Sequence, residues 1–353
     1  MTTATPTLQP VRLTAGRLPS WTTGIVLTVA LLLSATLFFT TGSPGLIRIL
    51  LVGALIFTAV MMVASLAVEG SRKAKDRLAT IVVTSAFGLA LLPLVSLVLS
   101  VIEKGATRFD GQFFTYSMRS VVGEGGGAVH AITGTLWVTG IATAISVPIG
   151  ILAAIYLVEY GTGTLARAIT FFVDVMTGIP SIVAGLFAYA LFVLFFGPGT
   201  KSGLAGAVAL TVLMIPVVVR SIEELLKIVP NELREASYAL GVPKWLTIVK
   251  VVLPTALAGI VTGVMLAVAR VIGETAPLLI AAGFTQSLNN NPVSGPMMTL
   301  PVFVYRSYID QGNPASAYLD RAWAGALTLI LIVMVLNLAG RLVAAKFAPK
   351  AGR

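Results

Sequence analysis

The chain has 353 residues, of which 57% are hydrophobic and 11% are charged, and its mean hydropathy is +0.96. An ordinary soluble domain carries about 25% charged residues, so the composition excludes a disordered chain, a nucleic-acid-binding domain and most soluble enzymes. With no cysteine and one histidine, a disulfide framework, a thiolate metal site and a cysteine nucleophile are excluded as well. The net charge of +10 fits the basic cytoplasmic loops of a membrane protein better than a grip on a polyanion.

A helix needs about 20 apolar residues to cross the hydrocarbon core. Eight runs qualify: Trp21–Thr40, Leu46–Val68, Leu78–Val101, His130–Val158, Ile169–Phe196, Ser202–Val219, Val251–Ala282 and Ala322–Ala345. The first is too long for a signal-peptide core and lacks a small-residue cleavage site. With the turn Gly42-Ser43-Pro44-Gly45 it reads as the first arm of a helical hairpin. Basic residues orient the spans. With the N-terminus inside, the inner segments 1–20, 69–77, 159–168, 220–250 and 341–353 hold 16 of the 24 Lys and Arg, including Arg72, Lys73, Lys75 and Arg77. The outer segments hold six. This bias predicts both termini in the cytoplasm. The tail 1–20, rich in Thr and Pro, reads as disordered.

Segment 220–250 is the one long inner loop, and it has helical organisation. Pro230-Asn231 offers a break and an N-cap, Leu233, Ala236, Ser237 and Leu240 recur at helical spacing, and Gly241 is a stop. A helix of about ten residues is expected at the membrane mouth. On pattern alone it either rests on headgroups or docks into a partner's groove.

The residues Glu235-Ala236-Ser237, Gly241, Val251 and Leu253-Pro254 resemble, in spacing, the EAA loop of ABC-importer permeases, the MetI-like binding-protein-dependent family. Ser237 replaces an Ala and Val251 an Ile. That loop falls on the inner side of the topology drawn from charge alone. Further stretches resemble the phosphate branch of the family, the PstA permeases. They are Gly134-Thr135-Leu136, Pro148-Ile149-Gly150, Ala154 to Tyr160, Gly178-Ile179-Pro180-Ser181 through Phe187, Ala269 to Leu279, and Thr299-Leu300-Pro301. The likeness covers about residues 78–345.

The resemblance implies an all-α polytopic bundle: a six-helix permease domain over 78–346 plus an extra hairpin at 21–77, with short tails at 1–20 and 347–353. It implies that Glu235, Ala236, Gly241, Leu240 and Leu233 meet an ATPase subunit. It also implies the partners: a homologous PstC-like permease, two PstB-like ATPases that bind ATP and Mg, a PstS-like extracytoplasmic phosphate-binding protein, and the bilayer. The chain itself has no Gly-Lys pair and so no phosphate loop for ATP. No catalytic constellation, metal site or resident cofactor is expected.

Two charges lie inside the seventh run. Arg270 is about 28 Å from its inner end at about 1.5 Å per residue, and Glu274 is one turn further. Spacing of four puts them on one helix face, within pairing reach. Charges at this depth line pathways more often than they face lipid, though a structural ion pair is the alternative. The resemblance favours a path for phosphate, with Glu274 offsetting the pull of Arg270. Arg220 is a second candidate for the path, or a snorkelling anchor. Glu159 and Asp174 read as boundary or inter-subunit contacts. Gly178, Pro180 and Ser181 read as packing or pore-lining, and Gly273 and Pro277 as flanking a possible helix break.

His130 reads as an interfacial group. Phe113, Phe114 and Tyr116 read as an interfacial helix or docking patch, and the stretches 123–127 and 289–291 as flexible turns. The competing functions are an ABC permease for sulfate or molybdate, and an ATPase-independent anion carrier.

Overall fold

A computed structural model describes residues 16–40 and 45–347. Most of the tail expected to be disordered, the turn at 42–44 and nearly all of the C-terminal tail lie outside these residues. Among the described residues every regular element is a helix, with no strand. Seven helices are long and apolar enough to cross a membrane, or eight if one bent pair counts as a span. The chain divides into two compact units, residues 1–98 and 99–353.

The first unit holds α1 (Thr22–Thr40), α2 (Leu46–Val68) and most of α3 (Ser71–Gly105). α1 and α2 pack as the expected hairpin, and the Ser34 hydroxyl donates to the Ile49 carbonyl at 2.8 Å. α3 runs unbroken through residues 77 and 78, where the hairpin and permease domain were expected to meet. A charge cluster ties the start of α3 to the end of α2. Glu69 accepts from Arg77 Nε at 2.6 Å, from the Ser65 hydroxyl at 2.9 Å and from the Leu18 N–H at 2.9 Å.

The Arg77 guanidinium, helped by the Leu18 N–H and Ser65, pulls the Glu69 carboxyl from 4.5 down to about 2. A depressed carboxyl contributes its stability fully above its unfolded pKa and loses it as pH falls through the folded one. The thermal-stability gap between wild type and Glu69→Gln is therefore expected to be constant above about pH 5 and to close between about pH 4.5 and 2. Unfolding temperatures of both proteins across that range check this.

The second unit is built on α5 (Val129–Ile155) and α8 (Gly203–Ile228), which pack along their lengths. Apolar helices gain little hydrophobic free energy by meeting inside lipid, so close packing of small residues holds them. Accordingly α8 buries Gly203, Ala205, Gly206, Ala207 and Ala209, and Gly150 of α5 sits against Val218. Around this pair lie α4 (Gly111–Thr115), α6 (Thr164–Thr177), α7 (Ser181–Phe196), α9 (Asn231–Ala239), α10 (Lys244–Thr247), α11 (Leu253–Val271), α12 (Ala276–Ala281), α13 (Leu300–Ile309) and α14 (Ala315–Phe347).

The structure refines several expected runs. The fifth run is two helices, α6 and α7, bent by 110°. Pro180 cannot continue a helix and pushes Ile179 toward extended geometry, while Gly178 ends α6. The sixth run continues nine residues past Val219 to Ile228, because Glu223 pairs with Arg220 and Lys227 along one helix face. The seventh breaks after Val271 and restarts at Ala276, the break that Gly273 and Pro277 flanked in the sequence. Pro277 lies in the first turn of α12, where its missing N–H costs nothing. Of the two readings of Phe113, Phe114 and Tyr116, the helix is found, since Phe113 and Phe114 lie on α4; Phe113 is fully buried, with Phe114 edge-on beside it, while Tyr116 is exposed.

The two expected flexible turns are tied down by side chains. Arg321 Nη1 donates to the Gly123 and Gly125 carbonyls at 2.7 and 3.1 Å, and Arg108 donates to the Gly126 carbonyl at 2.8 Å. Asn289 donates to the Ser294 carbonyl at 2.9 Å, and Asn291 accepts from the Val293 N–H at 3.0 Å.

Candidate functional site

The bend between α6 and α7, the break between α11 and α12 and the middle of α8 enclose one cavity of about 250 Å³. A water needs only ~15 Å³ of such space, so several waters or a partly hydrated small anion fit. Thr177, Ser181, Pro216, Arg270 and Glu274 are among its lining residues. Three sequence candidates, Ser181, Arg270 and Glu274, thus meet here from the bend and the break, while Gly178 and Pro180 shape the bend that admits Ser181.

Arg270 and Glu274 do not form the ion pair that their spacing left as the alternative. Among the described residues neither lies within 4.0 Å of an opposite charge. The helix ends at Val271, so four residues of separation no longer mean one face. Arg270 is exposed and Glu274 half-buried. A guanidinium and a carboxylate sharing a cavity without neutralising each other can attract an anion and limit how tightly it is held.

Backbone contact holds the break in place. A Cβ on Gly185 would stand 2.5 Å from Pro277 Cα and 3.0 Å from the Pro277 carbonyl oxygen, so α7 and α12 touch through backbone. Gly185→Ala must push them apart, moving Ser181 and Glu274. Overpacking of this kind costs roughly 1–3 kcal/mol, and the variant is expected to unfold at lower temperature than wild type and to transport poorly. Thermal unfolding and cargo uptake measured on one preparation check both.

Arg220 stands apart from this cavity. Its Nη2 pairs with Asp174 of α6 and its Nη1 with Glu223 at 2.8 Å. The pairing fixes α6 against α8, so Asp174 makes a contact within the chain.

The second assembly is α9 and what holds it. Leu233, Glu235, Ala236, Leu240 and Gly241 are all exposed, with Leu240 84% exposed. Gly241 has φ +75°, the left-handed geometry of a helix stop. Ser237, expected on the same face, is instead buried, and its hydroxyl meets that of Thr247 at 2.8 Å. The anchor missed in the sequence is Arg234. It reaches Glu159 at 2.9 Å and donates to the carbonyls of Val229 and Leu226 at 2.6 and 3.0 Å. Glu159 lies in the π-helical turn Tyr156–Tyr160 that ends α5, with its side chain 4% exposed. Lys244 of α10 donates to the Glu159 carbonyl and lies 4.7 Å over the Tyr160 ring. The Tyr-Leu-Val-Glu-Tyr stretch is therefore the socket of the exposed helix. A basic residue inside the Glu-Ala-Ser segment and a lone carboxylate ending an apolar run were the available signals.

A bent and a broken helix around a charged cavity, with an exposed amphipathic helix socketed at one end of the bundle, define a multi-pass membrane permease. Residues 146–353 match the family described as "Binding-protein-dependent transport system inner membrane component", and the chain belongs to it. Among its relatives is the phosphate transport system permease protein PstA 1 of Mycobacterium tuberculosis, 48% identical over 276 residues, covering 77% of this chain and 88% of the relative. The phosphate transport system permease protein PstA of Yersinia pestis is 38% identical over 280 residues, covering 78% and 92%. A crystal structure of a bacterial ABC transporter involved in import of the acidic polysaccharide alginate is similar in fold, with a TM-score of 0.53 at 13% identity over 78% of this chain and 96% of that one.

Proposed function

We propose that this chain is a permease subunit of an ATP-driven inorganic phosphate importer in the cell membrane, with both termini in the cytoplasm. The observation that carries the reading is the cavity shared by unpaired Arg270 and Glu274, in a chain 48% identical to a permease named for phosphate transport. Phosphate carries roughly one to two negative charges near pH 7 and needs a cation in a low-dielectric passage. Arg270 supplies it. Glu274 offsets part of the attraction, and it can accept a phosphate hydroxyl as the ion leaves. Ser181 and Thr177 offer neutral hydrogen bonds along the same wall.

A homologous PstC-like permease completes the pore. Two PstB-like ATPases bind ATP and Mg, and α9 passes their closure to the bundle through Arg234, Glu159 and α5. A PstS-like protein delivers the ion from outside. Arg220 serves the packing of α6 on α8 rather than the passage.

The test is labelled-phosphate uptake by cells that lack their own importer and express this chain with its partner subunits. Uptake is expected to be competed by unlabelled phosphate and not by sulfate or molybdate. Equal competition by sulfate would move the reading to another oxyanion. Uptake without any ATPase subunit would move it to a stand-alone carrier. Glu274→Gln is expected to assemble normally and to slow uptake at the release step, and normal uptake by that variant would remove Glu274 from the mechanism.

A further inference from the structure

A second cavity, of about 310 Å³, lies where the first turn of α5, α13 and the first turns of α14 converge. His130, Arg306, Ser307, Asp310 and Arg321 line it. It sits at the opposite end of α5 from the Glu159 socket. At about 1.5 Å per residue that separation is about 40 Å, the full depth of a bilayer with its headgroups. The cavity is therefore on the face away from the α9 helix, which is the outer face under the proposed orientation.

The lining holds unusual unspent hydrogen-bonding capacity. Arg321 is 1% exposed. Its Nη1 is committed to the Gly123 and Gly125 carbonyls and its face lies 4.5 Å over the Tyr318 ring, but among the described residues its Nε and Nη2 have no hydrogen-bond partner. His130 is equally buried, and among the described residues both its ring nitrogens lack a hydrogen-bond partner. A buried guanidinium with idle donors is among the costliest arrangements a fold can keep. Here it is kept beside a cavity large enough for a small ion and its water.

The charges and donor types fit one chemistry. Asp310 is neutralised by Arg306 at 2.7 Å, so Arg321 leaves the lining with one net positive charge. A guanidinium edge with two free N–H groups matches two oxygens of a tetrahedral oxyanion. A neutral imidazole brings one donor and one acceptor, and the acceptor can take the hydroxyl of a protonated oxyanion.

We propose that this cavity is a second oxyanion site, which takes inorganic phosphate on the outer face of the chain, distinct from the Arg270 cavity. The choice of phosphate rests on the function proposed above. Arg321 binds the charge, and His130 accepts from the P–O–H group while donating to a second oxygen. The site would hold phosphate as it arrives, before it reaches Arg270.

The test is hydrogen exchange on the assembled complex in lipid nanodiscs, with and without inorganic phosphate. Phosphate is expected to slow exchange in segments 123–131 and 303–321, in wild type and equally in Arg270→Ala. Arg321→Gln is expected to remove that protection. Because Arg321 also pins the 123–126 loop, His130→Phe is the second variant. It breaks no hydrogen bond and keeps a ring beside Phe303, and it is expected to weaken the phosphate dependence about tenfold. No phosphate-dependent protection in wild type would mean that the cavity holds water only and would overturn the proposal, as would protection that survives both variants. Uptake measured on the same preparation separates the two readings. Normal ATP-driven phosphate uptake without protection overturns the outer site alone, whereas protection without any phosphate uptake supports the site and overturns the importer.

Discussion

Arg270→Ala is expected to lower phosphate uptake by about a hundredfold while leaving assembly intact. An uncompensated charge near the centre of a bilayer costs roughly 2.5–3.5 kcal/mol even where water and neighbours soften it, and each ~1.4 kcal/mol is a factor of ten. Removing the guanidinium leaves the anion in a cavity whose only charged lining residue is Glu274, so repulsion adds to the lost attraction. The fold is expected to tolerate the change because Arg270 holds no ion pair among the described residues. Arg270→Lys keeps the charge but loses the planar fork and is expected to recover part of the rate. Arg220→Ala is the contrast. It strips Asp174 of its partner and leaves Glu223 with Lys227 alone, so its first effect is lower stability. Uptake rates and unfolding temperatures for the three variants separate a passage residue from a packing residue.

The second large effect is at the α9 socket. Arg234→Ala leaves Glu159 buried, at 4% exposure, without its guanidinium, and it removes a donor from the carbonyls of Val229 and Leu226 at the end of α8. Breaking one side of a buried pair costs roughly 3–5 kcal/mol. α9 has few other ties. Its outward residues Leu233, Glu235 and Ala236 touch solvent, and Ser237 contributes a single side-chain hydrogen bond. The expected result is a bundle that still reaches the membrane but no longer converts ATP hydrolysis into uptake. Phosphate-stimulated ATPase activity and uptake should fall together, with basal ATPase activity retained. Glu159→Ala should resemble Arg234→Ala. The double variant should lose less stability than the two single losses added, by about 1 kcal/mol or more, as expected for residues in one contact. Additive losses would mean that the two side chains act separately.

The pattern of what could be read in advance follows from the range of the forces involved. Spans appear in the sequence because hydropathy is a local sum, and α1 and α2 match their expected limits to within a residue. The α9 helix is legible because Pro230 and Gly241 punctuate it. The bend at Gly178-Ile179-Pro180 is hidden because hydropathy runs straight through it to Phe196, although the proline itself marks the only place where a turn could form. Arg270 and Glu274 were found as deep charges. Their relation was misread because spacing of four implies a shared face only while the helix continues, and Pro277 with Gly273 ends it first. Arg234 was missed because its partner lies 75 residues away in the chain, across two helices whose meeting no local pattern announces. His130 looked like an ordinary interfacial residue, because only the fold brings it into one cavity with Arg321.

The central claim is that ATP hydrolysis drives phosphate past Arg270. Its most direct test is the purified complex in vesicles with labelled phosphate and the binding protein outside, wild type against Arg270→Ala, with and without ATP at the α9 face. The account predicts phosphate accumulation only with ATP, and its near-complete loss in the variant while the subunits stay together. Accumulation without ATP, or an unchanged rate in the variant, would contradict it.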